Sequence, residues 1–251
     1  AAGFKLVCAI YSTFMQRGLD NIIHDVALQN LPVLFILDRA GIVGEDGGTH
    51  HGAFDLSFLK GIPNLTIMSP ANENELQNML KTALTAIKGP CVIRYPRGGS
   101  GIKEVNSFGN FEILKPGKAK IEKDGSDICI VAIGNPVNCC IEAANNLAKN
   151  NIKVSVINMR FLKPFDEETI KNILKTTNTI ITVEENVLIG GMGETVKSIL
   201  SGTDAQIYSI GLPDFFVEHG AQNLLRDKYG LSSKKIEEKI LKILKKEINL
   251  I

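Results

Sequence analysis

Short, mostly apolar runs constrain this chain more than any other feature. They fall at residues 6–10, 33–37, 65–68 and 91–95, then again at 128–133, 154–157, 180–183 and 207–210. A strand that alternates apolar and polar residues shows one face to water. A strand that is apolar throughout is covered on both faces, which is the situation of a parallel sheet packed between helices. The stretches between the runs carry helix signals. Ser12-Thr13 caps a predicted helix to about Gln29, and Ser69-Pro70-Ala71-Asn72 leads into one ending near Ile87. Gly134-Asn135-Pro136 opens a third to about Lys149, and Asp166 caps a fourth to about Thr176. The last predicted helix, 232–247, gathers Ile236, Ile240, Ile243 and Leu244 on one face and six lysines elsewhere. The alternation predicts an α/β protein with mainly parallel, doubly wound sheets. Functional residues then belong in loops at the strand C-terminal ends.

Residues 99–117 break the rhythm with Gly, Ser, Asn and Pro, and the pattern restarts after them. The chain therefore divides into a domain at 1–98, a linker at 99–117 and a second α/β domain at 118–251. Charge is balanced at 28 basic and 27 acidic residues, with no strong positive excess in either half, which argues against a nucleic-acid binder. No apolar run approaches the ~18 residues that cross a bilayer, so no membrane partner is expected. Five cysteines without C-x-x-C spacing read as reduced, buried thiols in a cytoplasmic setting. The sequence opens Ala-Ala-Gly rather than with Met, which suggests processing or part of a longer polypeptide.

Candidate chemistry concentrates after the second strand. The loop 44–52 places Asp46, Thr49, His50 and His51 among four glycines. Glycine admits close backbone approach, and a His/Asp pair handles protons near neutrality. A basic group forms a second cluster: Arg39 follows strand two, and Arg94 and Arg97 lie in Arg-Tyr-Pro-Arg-Gly at the end of strand four. Parallel strand ends share a rim, and guanidinium suits phosphate. An interdomain salt bridge is the competing reading for these arginines. Tyr11 and Phe14 follow strand one onto the same rim, core packing being the alternative for Phe14. In the second half, Glu184-Glu185-Asn186 reads as helix capping or interface. His219 reads as structural, Cys139-Cys140 as packing, and Gly211–Phe216 (211–216) as a turn with an aromatic anchor.

Several segments together resemble the C-terminal portion of the 1-deoxy-D-xylulose-5-phosphate synthase family, within the transketolase superfamily of thiamine diphosphate enzymes. They are Tyr-Ser-Thr-Phe-Met-Gln-Arg (11–17), His-Asp-Val-Ala-Leu-Gln-Asn-Leu-Pro-Val (24–33) and Asp-Arg-Ala-Gly (38–41) running on through Gly-Glu-Asp-Gly-Gly-Thr-His-His-Gly to Leu56. Arg-Tyr-Pro-Arg-Gly (94–98), Val-Glu-Glu-Asn (183–186), Gly-Gly-Met-Gly (190–193) and Gly-Leu-Pro-Asp-Phe-Phe (211–216) complete the set. The resemblance implies a pyrimidine-binding domain at 1–98, incomplete at its N-terminus, and a transketolase C-terminal domain at 118–251. It implies a reaction of pyruvate with D-glyceraldehyde 3-phosphate, thiamine diphosphate with Mg²⁺ as cofactors, and a homodimer. Matched by position, Phe14 stacks on the cofactor's pyrimidine with Arg17 beside it. Asp46 and His50 meet the substrate, and Tyr11, Arg39 and Arg97 hold its phosphate.

Two departures qualify the resemblance. The family's cofactor-activating glutamate lies before the first matched strand, and here no glutamate precedes Glu45. The Mg²⁺–diphosphate motif has no match either. Asp46-Gly47 with Asn72 imitates its spacing, but Glu45 replaces the first glycine and Asn72 looks like a helix cap. No metal site is therefore assigned to this chain, and by itself it is expected to be inactive. The missing thiamine diphosphate/Mg²⁺ domain is expected in cis or in trans. A split transketolase-type subunit, a 2-oxoacid dehydrogenase β subunit and a non-catalytic binding or regulatory module are the alternatives. The Gly-Glu-Asp-Gly-x-Thr-His loop weakens the second, and the retained arginines, Asp46 and His50 weaken the third.

Overall fold

The computed structural model describes residues 2–101, 105 and 109–248. The first half runs β1 (Leu6–Tyr11), α1 (Ser12–Met15), α2 (Leu19–Asn21), β2 (Val33–Asp38), α3 (Asp55–Leu59), β3 (Thr66–Met68), α4 (Glu73–Thr85) and β4 (Cys91–Arg94). The second runs β5 (Lys120–Lys123), β6 (Ile128–Ile133), α5 (Pro136–Ala148), β7 (Val154–Asn158), β8 (Phe161–Lys163) and α6 (Glu167–Ile173). It ends with β9 (Thr179–Val187), α7 (Met192–Ile199), β10 (Gln206–Leu212), α8 (Gln222–Lys228) and α9 (Ser233–Ile248).

Two five-stranded sheets result, ordered β1-β2-β4-β3-β8 and β10-β9-β6-β7-β5. Pairing is parallel except at one edge of each, where β8 meets β3 and β5 meets β7 antiparallel. This is the expected mainly parallel α/β class, with strands covered on both faces: every residue of β4, β6 and β9 is buried, Arg94, Glu184, Glu185 and Asn186 included. Two caps work as the sequence suggests, whereas Ser12-Thr13 does not cap: α1 begins at Ser12 with no side-chain cap bond, and the two hydroxyls reach Asp55 and the Thr49 carbonyl instead. Asn72 accepts the Glu75 amide at 3.0 Å, and Asp166 accepts that of Thr169 at 3.2 Å. On α9, Ile236, Ile240 and Ile243 are buried.

Four expectations change. β1 is not a buried strand but an exposed edge: Leu6, Val7 and Cys8 face outward, so one of the five thiols is open. The helix expected from Ser12 to Gln29 breaks into α1, a 3-10 turn at Gln16–Gly18, α2 and a π turn at Ile22–Ala27. Gly18, at φ −100° and ψ 9°, leaves the helical basin there, as a residue of low helix propensity readily does. The third is that β5 and β8, three or four residues each, lack the apolar run that marks the other strands. Finally, Arg94 turns inward.

β8 lies in the second half of the sequence yet closes the first sheet, Met68 pairing with Phe161 and Ile67 with Lys163. The apolar cores are shared too. Leu37, Ile67 and Val92 of the first sheet pack in one cluster with Val131 and Ile133 of the second and with Met159 just beyond β7.

At that junction lies a buried ion pair. Arg94 Nε donates to Asp55 Oδ2 at 2.9 Å, with side chains 4% and 0% exposed. Ser12 Oγ donates to the same carboxylate oxygen at 2.9 Å. Arg94 Nη2 donates to the Glu185 carbonyl at 3.1 Å and, at 3.4 Å, to that of Gly52. Removing one partner of such a pair strands the other charge. Arg94→Ala is expected to cost about 3–5 kcal/mol in urea unfolding. A loss below about 1 kcal/mol would show that the knot does not hold the halves together.

Candidate active site

The rim at the C-terminal ends of β1, β2 and β4 collects the predicted residues. Tyr11 ends β1 opposite Asp38, the last residue of β2. Its ring stacks on that of Phe14, centroids 5.4 Å apart and 14° from parallel, and the ring of His50 meets Phe14 edge-on at 5.7 Å. On Tyr11 also lies the Arg39 guanidinium, 3.9 Å from the ring centroid. Tyr11, Phe14, His50 and Arg39 thus form one contiguous group. Phe14 is 42% exposed, so it is a surface ring rather than a core residue.

Arg39 reaches this position through a left-handed backbone, φ +60°, supported by Asp38. The Asp38 carboxylate accepts the Arg39 amide at 2.6 Å and Nη1 at 2.5 Å. Arg97 Nη1 donates to Asp46 Oδ2 at 3.1 Å, both side chains nearly half exposed. Arg17 is exposed on the 3-10 turn after Phe14. The structure therefore brings Asp46 to Arg97, and His50 to Phe14, which in turn stacks on the Tyr11 ring that Arg39 covers.

The loop carrying Asp46 and His50 is closed at its base. Gly41 and Gly52 exchange backbone hydrogen bonds at 2.7 and 2.9 Å. Gly41, at φ +75°, has room for no side chain: a Cβ would lie 2.7 Å from Glu185 Cδ. Inside the loop, His50 Nδ1 sits 3.0 Å from Thr49 Oγ1, and Thr13 Oγ1 donates to the Thr49 carbonyl at 3.1 Å. His51 is buried. Its Nδ1 accepts the Val43 amide at 2.9 Å, and its Nε2 lies 3.0 Å from the Glu218 carbonyl.

Segment 217–222 of the second half lies over this loop. Gly220 N donates to Gly44 O at 3.3 Å, and Gln222 Nε2 donates to Ile42 O at 2.7 Å and Arg97 O at 3.3 Å. His219 is exposed, and a Cβ on Gly47 would lie 3.1 Å from its Cβ. Thr13, Asp38 and Gln222 are the contributors that sequence reasoning missed, and His51, noted there in the glycine loop, received no role of its own. Asp38 and His51 had a signal, since each adjoins a predicted site residue. Gln222 had none.

The residues set aside as structural have such partners. Glu185 Oε1 accepts the Ile42 amide at 2.9 Å and Arg226 Nε at 3.0 Å. Glu184 caps α7, accepting the amides of Met192 and Gly193 at 2.7 and 2.8 Å. Burial outweighs those bonds and lifts its carboxyl to about 7. Burial likewise pushes the thiols of Cys91 and Cys129 to about 12 and lifts that of Cys140 well above its ordinary value, which makes them poor nucleophiles. Asn72 is occupied as the cap of α4, not as a metal ligand. Among the described residues no group of three or more His, Cys, Asp or Glu could hold a metal ion, and no helix is long and apolar enough to cross a membrane. The aromatic anchor is not buried: Phe216 is 78% exposed and touches Phe54 edge-on.

Comparison with known proteins places both halves of the chain in known domain families. Residues 1–101 match the transketolase pyrimidine-binding domain, and residues 117–236 match the transketolase C-terminal domain. The 1-deoxy-D-xylulose-5-phosphate synthase of Desulforudis audaxviator is 50% identical over 92% of this chain and 36% of its own length. That of Chlorobium phaeovibrioides is 50% identical over 95% of this chain and 38% of its own. The chain thus spans little more than a third of these curated relatives. A split-gene transketolase, solved as an inactive β4 tetramer, superposes with a TM-score of 0.85 at 28% identity, covering 96% of this chain and 76% of that one. Transketolase from Campylobacter jejuni shares the fold at a TM-score of 0.75, 23% identity, 95% of this chain and 36% of its own.

Glu184 generates a pH prediction. Its folded carboxyl binds a proton more tightly than the ordinary value of 4.5, so its contribution to stability falls as pH rises from about 4.5 through about 7 and is flat above. Glu184→Gln is expected to flatten that part of the stability–pH curve. Parallel wild-type and variant curves from urea unfolding at pH 5, 6 and 7 would refute the assignment.

Proposed function

We propose, given that the chain belongs to the transketolase family, that it is part of a thiamine diphosphate-dependent synthase. This enzyme joins pyruvate, with loss of CO₂, to D-glyceraldehyde 3-phosphate and gives 1-deoxy-D-xylulose 5-phosphate. The observation that carries this reading is that Tyr11, Phe14, His50 and Arg39 form one contact group at the strand ends of the first sheet, while Arg97, which follows β4 at that same end of the sheet, pairs with Asp46 of the loop that carries His50. Two arginines suit a phosphate, an exposed aromatic ring suits a flat heterocycle, and a His with an Asp suits proton transfer.

The residues fit the cofactor's pyrimidine end. Phe14 is backed by Tyr11 and still 42% exposed, so it offers surface for a stacked ring, with Arg17 following it. When bound, thiamine diphosphate supplies the electron sink for decarboxylation. The diphosphate and Mg²⁺ are assigned to a domain beyond these residues, joined in cis or in trans.

The chain's own part is binding and proton handling. Arg39 and Arg97 take the aldehyde's phosphate. Both already hold carboxylates, Asp38 and Asp46, in partly exposed pairs. Exposed pairs contribute only about 0–1 kcal/mol, so a phosphate dianion exchanges with them readily. His50, oriented by Thr49, and Asp46, freed as Arg97 turns to phosphate, serve the proton that reaches the aldehyde oxygen as the new C–C bond forms.

The full-length protein, given both substrates, thiamine diphosphate and Mg²⁺, is expected to release CO₂ and the ketose phosphate. Arg97→Met should raise KM for the phosphorylated aldehyde about tenfold and spare an unphosphorylated one, as loss of a charge-assisted contact implies. His50→Ala should lower kcat about 10²-fold. Absence of product from the full-length protein would overturn the reading.

A split-subunit arrangement is the second reading, favoured by the likeness to the split-gene transketolase. Under either reading the 251-residue polypeptide alone should make no product above the enzyme-free rate. Homodimerisation through the apolar surface of Phe54, Ile189, Phe215 and Phe216 belongs to the same proposal. A monomer at micromolar concentration in the ultracentrifuge would count against it.

A further inference from the structure

We infer that His51 is a positioning residue through which the second half of the chain sets the loop bearing Asp46 and His50. The argument starts from donors and acceptors. The Val43 amide can only donate, so His51 Nδ1 accepts at 2.9 Å. The Glu218 carbonyl can only accept, so Nε2, 3.0 Å away, carries the proton. Both partners are backbone groups, and together they fix one neutral tautomer of a ring that is 3% exposed.

The partners make this more than core packing. Val43 precedes the glycine loop and His51 nearly ends it, so the first bond draws together the two sides from which Asp46 and His50 hang. The second bond crosses 167 residues to segment 217–222, which reaches the same loop through Gly220 and Gln222. Glu218 is itself anchored, its carboxylate bonded to Lys228 of α8 and to the Tyr229 hydroxyl. Those bonds hold its carboxyl down at about 2. The path runs from α8 through Glu218 and His51 to Val43. The loop itself, with glycines at 44, 47, 48 and 52, has little stiffness of its own. A clasp at its base therefore decides where Asp46 and His50 stand.

The role rests on the proposed use of Asp46 and His50, so its test has a readout independent of turnover. In the full chain at neutral pH, nitrogen NMR is expected to show His51 protonated at Nε2 only. Hydrogen exchange then separates the two bonds. Asn at 51 can offer an oxygen where Nδ1 stood, and Gln can offer an N–H where Nε2 stood. His51→Gln should speed exchange of the Val43 amide about tenfold and leave Gly220 near wild type, while His51→Asn should do the reverse. His51→Phe, which keeps the bulk and loses both bonds, should speed both. An Nδ1–H tautomer, or wild-type exchange in all three variants, overturns the proposal. In the active full-length protein, His51→Phe should lower kcat at least tenfold, with partial rescue in His51→Asn or His51→Gln. Unchanged kcat there also overturns it. If the exchange pattern holds while the wild-type full-length protein makes no product, the reaction assignment falls and the clasp stands.

Discussion

The Arg94–Asp55 pair is the constraint on which the rest of the molecule depends. One buried carboxylate receives Arg94 from β4 and Ser12 from the start of α1, and the guanidinium goes on to the carbonyls of Gly52 and Glu185. Four pieces of chain far apart in sequence are thereby tied at one point. They are the segment after β1, the end of the glycine loop, the end of β4 and the middle of β9. The first three carry the candidate site, and the fourth belongs to the second sheet. Taking both charges out of water has a large desolvation cost, tolerable only because nearly every polar atom of the pair finds a partner. Any shift of one segment leaves a buried charge short of a bond, so the four segments keep their mutual positions.

The arginines of the rim divide by the same physics. Arg94 is sealed against solvent and bonded through Nε to Asp55 and through Nη2 to two backbone carbonyls, so turning it to a ligand would strand the buried Asp55 charge. Arg39 and Arg97 lie in partly exposed pairs whose net worth is small. Residue type and sequence position make Arg94 and Arg97 look equivalent, three residues apart in one motif. Burial separates them into a structural residue and a ligand-binding candidate.

This also explains what the sequence could and could not disclose. The parallel sheets were legible because β6 is apolar throughout and the first residues of β4 and most of the early residues of β9 are apolar too, a pattern that shows in one dimension. The caps at Asn72 and Asp166 were legible because capping is local. β8 was not, since three residues pairing with β3 from the other half of the chain leave no local trace. β1 was misread as buried because an edge strand can be as apolar as a central one; only the sheet order reveals that its outer side has no neighbour among the described residues. Within the site, Asp46, His50, Arg39 and Arg97 announce themselves by residue type and loop chemistry. Gln222 and the Glu218 carbonyl do not, because a backbone acceptor has no sequence identity and a glutamine more than a hundred residues away has no motif.

The glycine loop shows why these long-range contacts matter. Glycines let the loop pass close to Glu185, His219 and the carbonyl of Val217, positions where a Cβ would crowd its neighbour. The same glycines remove the side-chain restraints that would otherwise fix its shape, so the loop's conformational entropy is high unless other groups restrict it. The restrictions come from outside: the Gly41–Gly52 bonds at its base, Thr13 reaching Thr49, and segment 217–222 laid across it. A loop that must approach other chain closely and still hold two candidate proton-handling side chains in place needs this division of labour. Its own residues provide room, and the second domain provides rigidity. The C-terminal domain contributes no predicted site residue, yet the placement of Asp46 and His50 depends on it.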